Sequence, residues 1–251
     1  MIPLVDLKKQ YLSLKQEIDE SIKDIINRTA FIKGEQVDNF EKEFAKKLKS
    51  KYCISCANGT DALYITLKSL GIGRGDEVIT VANSWISSSE AISQTGAKVV
   101  FADIEPNYFT INPKDILNKI TKKTKAIIPV HLFGQASNII EINKIAKKYK
   151  LFVIEDCAQS HLAENNKKIL GNYGIAGTFS FYPGKNLGAF GDAGAIITNS
   201  KSLSIKMRKF ANHGSLIKHN HSIEGINSRM DGIQAAILNV KLKYLNIWNN
   251  K

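Results

Sequence analysis

Three cysteines, four arginines and no long apolar run set the first limits on this chain of 251 residues. Cys53 and Cys56 form a CxxC within KYCISCANG, and Cys157 stands alone. A metal or redox site built on that spacing needs further ligands of the same kind, and no second pair accompanies it. Small buried thiols are the expectation, with no disulfide framework and no metal. No stretch approaches the roughly 20 apolar residues that a membrane-spanning helix needs. The opening MIPLVDLKKQ lacks the basic flank and apolar core of a secretory signal. A cytoplasmic protein that neither enters nor spans a membrane is therefore expected. Arginine is confined to Arg28, Arg74, Arg208 and Arg229, so the net charge of +12 comes almost wholly from lysine. Those lysines are dispersed, as in KIAKKYK (144–150) and TKKTK (121–125), rather than gathered with aromatics on one face. That distribution argues against a nucleic-acid partner, although a basic surface favours a small anionic substrate.

What is present is an ordinary globular composition, 43% hydrophobic and 23% charged, sufficient for a packed core. Residues 1–50 read as an N-terminal helical segment. Val37, Phe40, Phe44 and Leu48 recur at helical spacing, and Lys33-Gly34 breaks this helix from an earlier one. From residue 51 the pattern changes. The runs YCISCA, EVITV, KVVFAD, KAIIPV, LFVIED, TFSFY and AGAIITN alternate with helical segments. Continuous apolar runs of this kind predict strands covered on both faces. The fold class is thus α/β, a mostly parallel sheet of about seven strands with helices on both sides, over a large domain from 51 to 251. Beyond Asn199 the spacing predicts helices over KSLSIKMRKFANHG and over SRMDGIQAAILNVKLKYLNIW, the second continuing to the end of the chain.

Three segments carry chemistry. In CANGTDALYITLKSL a strand is expected to end at Asn58, Gly59 to form a tight turn, and Thr60 and Asp61 to open a helix. Free amides at a helix start suit a phosphate, although Thr and Asp are also ordinary caps. In LFVIEDCAQSHLA an apolar strand ends on Glu155-Asp156, with Gln159 three residues on. Acids at the carboxyl end of a parallel strand lie where α/β proteins bind ligands, yet Asp156 could equally cap the next segment. In TFSFYPGKNLGAFGDAGAI, Ser180 lies in a strand and Lys185 follows in a glycine-rich turn. A reactive amine, a buried carboxylate and a phosphate cradle are together what pyridoxal 5′-phosphate (PLP) requires.

Taken in order, NGTDAL (58–63), EDCAQ (155–159), SFYPGK (180–185), GDAGAI (191–196) and NSRMDGIQAA (227–236) resemble the DegT/DnrJ/EryC1/StrS aminotransferases. These have the aspartate-aminotransferase fold type and act on nucleotide-linked keto sugars. The resemblance runs from MIPLVDLKKQY to GINSRMDGIQAAILNVKL and implies PLP as cofactor, with an amino acid such as glutamate as donor. By position it implies that Lys185 is the Schiff-base lysine and Asp156 the partner of the pyridinium nitrogen. Gln159 is then placed near the ring hydroxyl, and Gly59, Thr60 and Ser180 around the phosphate. Trp85, in VANSWISSSEA, matches the ring stacked on the cofactor, against the alternative of a core aromatic. Asn227 matches a residue supplied across a homodimer with shared active sites, after the polar loop HGSLIKHNHSIEG (213–225). Arg229 reads equally well as a structural salt bridge or cap. Members with histidine in place of the lysine are dehydratases, and Lys185 sets this chain apart from them. SWISSSEA and SFYPGKNLGA resemble members that aminate C3 of a 3-keto-6-deoxyhexose. The family's smaller C-terminal domain has no counterpart before Lys251. The alternative expectation is therefore a truncated, catalytically silent remnant that binds PLP or a partner protein.

Overall fold

The computed structural model describes residues 5–251; the first four residues of the MIPLVDLKKQ motif lie outside it. In chain order the elements are α1 (Leu7–Ser13), α2 (Lys15–Asn27), α3 (Glu35–Lys47), β1 (Tyr52–Cys56), α4 (Gly59–Ser69), β2 (Glu77–Val81), α5 (Ser87–Gln94) and β3 (Lys98–Ala102). There follow α6 (Pro113–Lys119), β4 (Thr124–Ile128), α7 (Ile139–Tyr149), β5 (Phe152–Asp156), the short hairpin β6 (Glu164–Asn165) and β7 (Lys168–Ile169), β8 (Ala176–Ser180) and β9 (Gly194–Thr198). The chain then runs through α8 (Lys201–Ala211), a second small hairpin of β10 (Ser215–Ile217) and β11 (Asn220–His221), α9 (Gly232–Leu242) and α10 (Leu245–Asn249).

The seven apolar runs all become strands of one sheet, in the order β1-β9-β8-β5-β4-β2-β3. Strands β8, β5, β4, β2 and β3 pair in parallel, and β9 runs antiparallel to both β1 and β8. Only β9 is reversed, so the sheet is mostly parallel.

Side-chain alternation along each strand divides the core into two layers. Ile79, Ile127 and Val153 pack with α6 and α7, whereas Val78, Ala126, Ile128 and Ile154 pack with α4 and α5. At the other end, Cys53, Ala195 and Ile197 face α3 and α9, while Ile54, Cys56 and Ile196 face α4 and α8. Both faces are covered, which is why the strands read as unbroken apolar runs.

The α3 stripe is buried as its spacing predicts. Phe40 and Phe44 lie edge-on to Phe181 with ring centroids 5.2 Å apart, and each such ring contributes about 1.5–3 kcal/mol by leaving water. Val37, Phe40, Phe44 and Leu48 thus share a core with strands of the sheet. Lys33 and Gly34, at φ 57° and 89°, make the expected break before α3. All three cysteines are buried and free.

Two expectations change at the carboxyl end. The segment 228–231 is not helical, with Asp231 extended and bridging to Ile32, and α9 starts only at Gly232. The helix also breaks at Lys243 and Tyr244 before α10. The first change has a packing cause: Ser228 is drawn onto the sheet, taking a hydrogen bond from Ala57 N and giving one to Asp61. The 213–225 loop likewise contains the β10–β11 hairpin, closed by Lys209, which donates to Ser222.

Candidate active site

Strands β1, β5 and β8 run in one direction, and their carboxyl ends deliver Asn58, Asp156 and Ser180 to the same rim of the sheet. This rim is where open α/β sheets bind ligands. A cavity of about 450 Å³ lies there, lined by Gly59, Thr60, Trp85, Asp156, Ser180 and Lys185 among others. Six of the eight residues singled out in the sequence thus meet in one cleft, although they come from segments up to about 125 positions apart.

One end of the cleft is the start of α4. Asn58 is its N-cap and accepts a hydrogen bond from Asp61 N at 2.8 Å. The preceding amides, Gly59 and Thr60, have no intrahelical acceptor, and the helix dipole adds positive potential there. The Thr60 hydroxyl sits 2.7 Å from Ser87 Oγ at the start of α5. Gly59 is not the tight turn that the sequence suggested: β1 has already ended at Cys56, and Gly59 is the first helical residue. Its lack of a side chain is required by close approach instead. A Cβ there would lie 2.7 Å from Ser180 Cβ. Glycine therefore lets the helix start and the end of β8 line one wall.

Asp156 is buried, 7% exposed as a residue. Its Oδ1 accepts from Ala158 N, and its Oδ2 from Ser88 Oγ, both at 3.1 Å. Burial pushes this carboxyl above its ordinary range, while those two donors, His131 and Lys185 pull it back. Lys185 is half-buried, and burial lowers its amine below the usual lysine range, with Asp156 opposing. Desolvation outweighs attraction at both groups, so the amine deprotonates more readily than a surface lysine does.

Trp85 is 77% exposed and lines the cleft, so it is not a core aromatic. Gln159 lies outside this cleft, in an adjoining hollow of about 680 Å³ that Lys185 also borders. Its Oε1 accepts from Phe133 N at 2.8 Å. Asn227 is exposed and is not among the residues lining the cleft; its backbone pairs with Asn212. Among the described residues Arg229 makes no salt bridge, and its Nε is buried without a hydrogen-bond partner.

Sequence reasoning missed several groups. Asn58, Ser87, Tyr182 and Asp192 also line the cleft, and Ser88 holds Asp156. Behind the cleft, Glu155 accepts from the Gly171, Tyr173 and Gly174 amides and from His131 Nε2. His131 Nδ1 accepts from Ser137 N, which fixes the tautomer with the proton on Nε2. His131, Glu155 and Cys157 have ligand-type atoms within 4.8 Å of one another, but the Glu155 oxygens are already occupied by these four donors.

A family model described as the DegT/DnrJ/EryC1/StrS aminotransferase family matches residues 12–251. The chain belongs to this family. It is accordingly a PLP-dependent aminotransferase by membership, and the cleft suits that cofactor: an ionisable carboxyl, a lysine amine and a phosphate-competent helix start open into one cavity. A pleiotropic regulatory protein of Geobacillus stearothermophilus is 45% identical over the whole chain and 67% of its own length. A dTDP-3-amino-3,6-dideoxy-alpha-D-galactopyranose transaminase of Aneurinibacillus thermoaerophilus is 47% identical over the whole chain and 69% of its own length. Among solved structures, DesV of S. venezuelae in complex with a ketimine intermediate superposes with a TM-score of 0.97 at 38% identity, covering 99% of this chain and 67% of that one. The chain therefore spans about two thirds of the length of these relatives. Among the described residues, no helix is long and apolar enough to cross a membrane.

Proposed function

We propose that this chain transfers an amino group from an amino acid, glutamate foremost, to a nucleotide-linked keto-deoxy sugar, at C3 of a 3-keto-6-deoxyhexose. The carrying observation is the single cleft that holds Asp156, Lys185 and the start of α4 together. The sugar class and the C3 position are supported by the name of the Aneurinibacillus transaminase.

PLP, when bound, supplies an electron sink that makes the proton on the donor's α-carbon removable. Lys185 Nζ would hold the cofactor through its aldehyde carbon and, when free, would serve as the base for the donor's α-proton. Its lowered proton affinity favours both roles. Asp156 holds the proton on the ring nitrogen. The Gly59 and Thr60 amides, with the Thr60 and Ser180 hydroxyls, receive the phosphate. Trp85 would cover one face of the ring, and Gln159 would stand on the ring-hydroxyl side. The three free buried thiols suit a reducing compartment, and we place the reaction in the cytoplasm.

The working form in this proposal is a homodimer. Asn227 is exposed and does not line its own cleft, which fits a residue that completes the phosphate site of the partner subunit. The experiment is a donor half-reaction. Purified protein loaded with PLP and mixed with glutamate should convert the cofactor to its amine form and release 2-oxoglutarate, and a keto-sugar nucleotide should reverse the change. No spectral change with any amino acid would refute the proposal.

A further inference from the structure

SWISSSEA places three serines in the first turn of α5, and the fold sends each to a different partner. Ser87 Oγ lies 2.7 Å from Thr60 Oγ1, on the phosphate side of the cleft. Ser89 Oγ turns back to Ile86 O at 3.0 Å. Ser88 is 2% exposed and donates to Asp156 Oδ2. Its oxygen also lies 2.9 Å from Ser84 Oγ. A hydroxyl has one proton to give, and an ionised carboxylate has none. The Ser88 proton is therefore committed to Asp156, and Ser84 must donate to Ser88. With Asp156 ionised, valence sets the direction of this chain, from Ser84 through Ser88 to Asp156.

We infer that Ser88, oriented by Ser84, is a positioning residue of the transamination: it keeps the Asp156 carboxylate ionised and fixes its plane, so that Asp156 holds the proton on the cofactor's ring nitrogen. This rests on the reading of Asp156 given above. The surroundings show why such a donor is required. A carboxylate so deeply buried is driven toward its neutral form, which would hand the ring no negative charge. The groups that oppose this are few. The α5 helix supplies Ser88 and the turn after β5 supplies the Ala158 amide. Lys185 contributes its charge from the turn after β8. Neighbouring Glu155 points away, into the 171–174 turn, and Cys157 stays a neutral thiol because burial raises it far above its usual range. Only two of about four acceptor positions on Asp156 are used by Ser88 and Ala158, which leaves room for a ring N–H. The Ser88 bond is thus the only side-chain hydrogen bond to this carboxylate among the described residues.

The test loads wild type, Ser88→Ala, Ser88→Thr, Ser84→Ala and Asp156→Asn with PLP labelled with 15N in the ring. The nitrogen chemical shift is then followed against pH. Removing a hydrogen bond to a charged acceptor should lower the proton affinity of the ring nitrogen by about one to two pH units in Ser88→Ala. The donor half-reaction should slow about tenfold or more, with the donor KM unchanged. Ser88→Thr keeps the hydroxyl and should restore both readouts. Ser84→Ala should shift the nitrogen in the same direction by less, and it supplies the test should Ser88→Ala fold poorly. A purely structural serine would lower the melting temperature without moving the nitrogen titration. The proposal is overturned if Ser88→Ala titrates like wild type while Asp156→Asn does not. If Asp156→Asn also leaves the nitrogen unmoved, the underlying assignment of Asp156 is the part that fails.

Discussion

Replacing Gly59 by alanine tests the phosphate end of the cleft by geometry alone. An added Cβ would sit 2.7 Å from Ser180 Cβ and 3.3 Å from Ser180 Cα, whereas ordinary contact begins at 3.4 Å. Both obstructing atoms are fixed by the β8 backbone, so no rotamer change at Ser180 relieves the clash. The start of α4 or the end of β8 must give way by about 0.7 Å. Overpacking of that size costs about 1–3 kcal/mol of stability. It also lengthens a donor–acceptor distance of about 2.9 Å to about 3.6 Å, beyond useful hydrogen bonding. Each bond lost to an anion is worth about 1.5–3 kcal/mol, so PLP should bind about 10- to 100-fold more weakly. Titrating the cofactor-free protein with PLP, followed by absorbance, gives the affinity, and urea unfolding gives the stability. Gly73→Ala is the control, because its Cβ would meet Thr95 O at an ordinary 3.5 Å. Affinity within twofold of wild type in Gly59→Ala would show that the helix start and Ser180 do not share a ligand.

Asp156→Asn should retain PLP poorly and slow the donor half-reaction at least about a hundredfold, as loss of a preorganised charge typically does; stopped-flow absorbance reads this directly, and unchanged kinetics would remove Asp156 from the site. Mixing inactive Lys185→Ala with inactive Asn227→Ala should restore activity if active sites are shared, since one site of each mixed dimer keeps both native groups; mixed dimers that form and stay silent would contradict the shared site. His161 is 2% exposed, wedged against Phe179 and Phe181 with neither ring nitrogen partnered, and burial holds it down to about 3. The folded state cannot take up the proton that the unfolded chain binds near pH 6.5. Its stabilising contribution is thus complete above that pH and is lost as pH falls toward 3, by about 2 kcal/mol at pH 5. Urea unfolding at pH 7.5 and pH 5 should show that loss shrinking in His161→Phe, and an unchanged pH dependence would refute the assignment.

The strands were legible because a sheet buried on both faces leaves each as an apolar run, and all seven appear where those runs stand. Their order was not legible, nor was the reversal of β9, since GAIIT packs the same whichever way it runs. Gly59 shows the limit well. Its neighbours identify a helix start, but the reason for glycine lies at Ser180, far along the chain. Ser88 was hidden for a related reason: three consecutive serines look alike until the phase of α5 turns one toward β5. Trp85 and Asn227 were singled out only through the family pattern, because nothing in their local sequence distinguishes an exposed functional residue from an ordinary one. The non-helical 228–231 segment was read as helix because its pull onto Ala57 and Asp61 is a long-range contact.

The central claim is that Lys185 carries the cofactor. Protein purified with PLP should absorb in the visible, lose that band on treatment with borohydride, and after digestion show the cofactor's mass on the peptide that contains Lys185. Lys185→Ala should show neither the band nor the added mass, though it still binds some PLP reversibly. A reduced adduct found on another lysine, or a visible band that persists in Lys185→Ala, would contradict the claim.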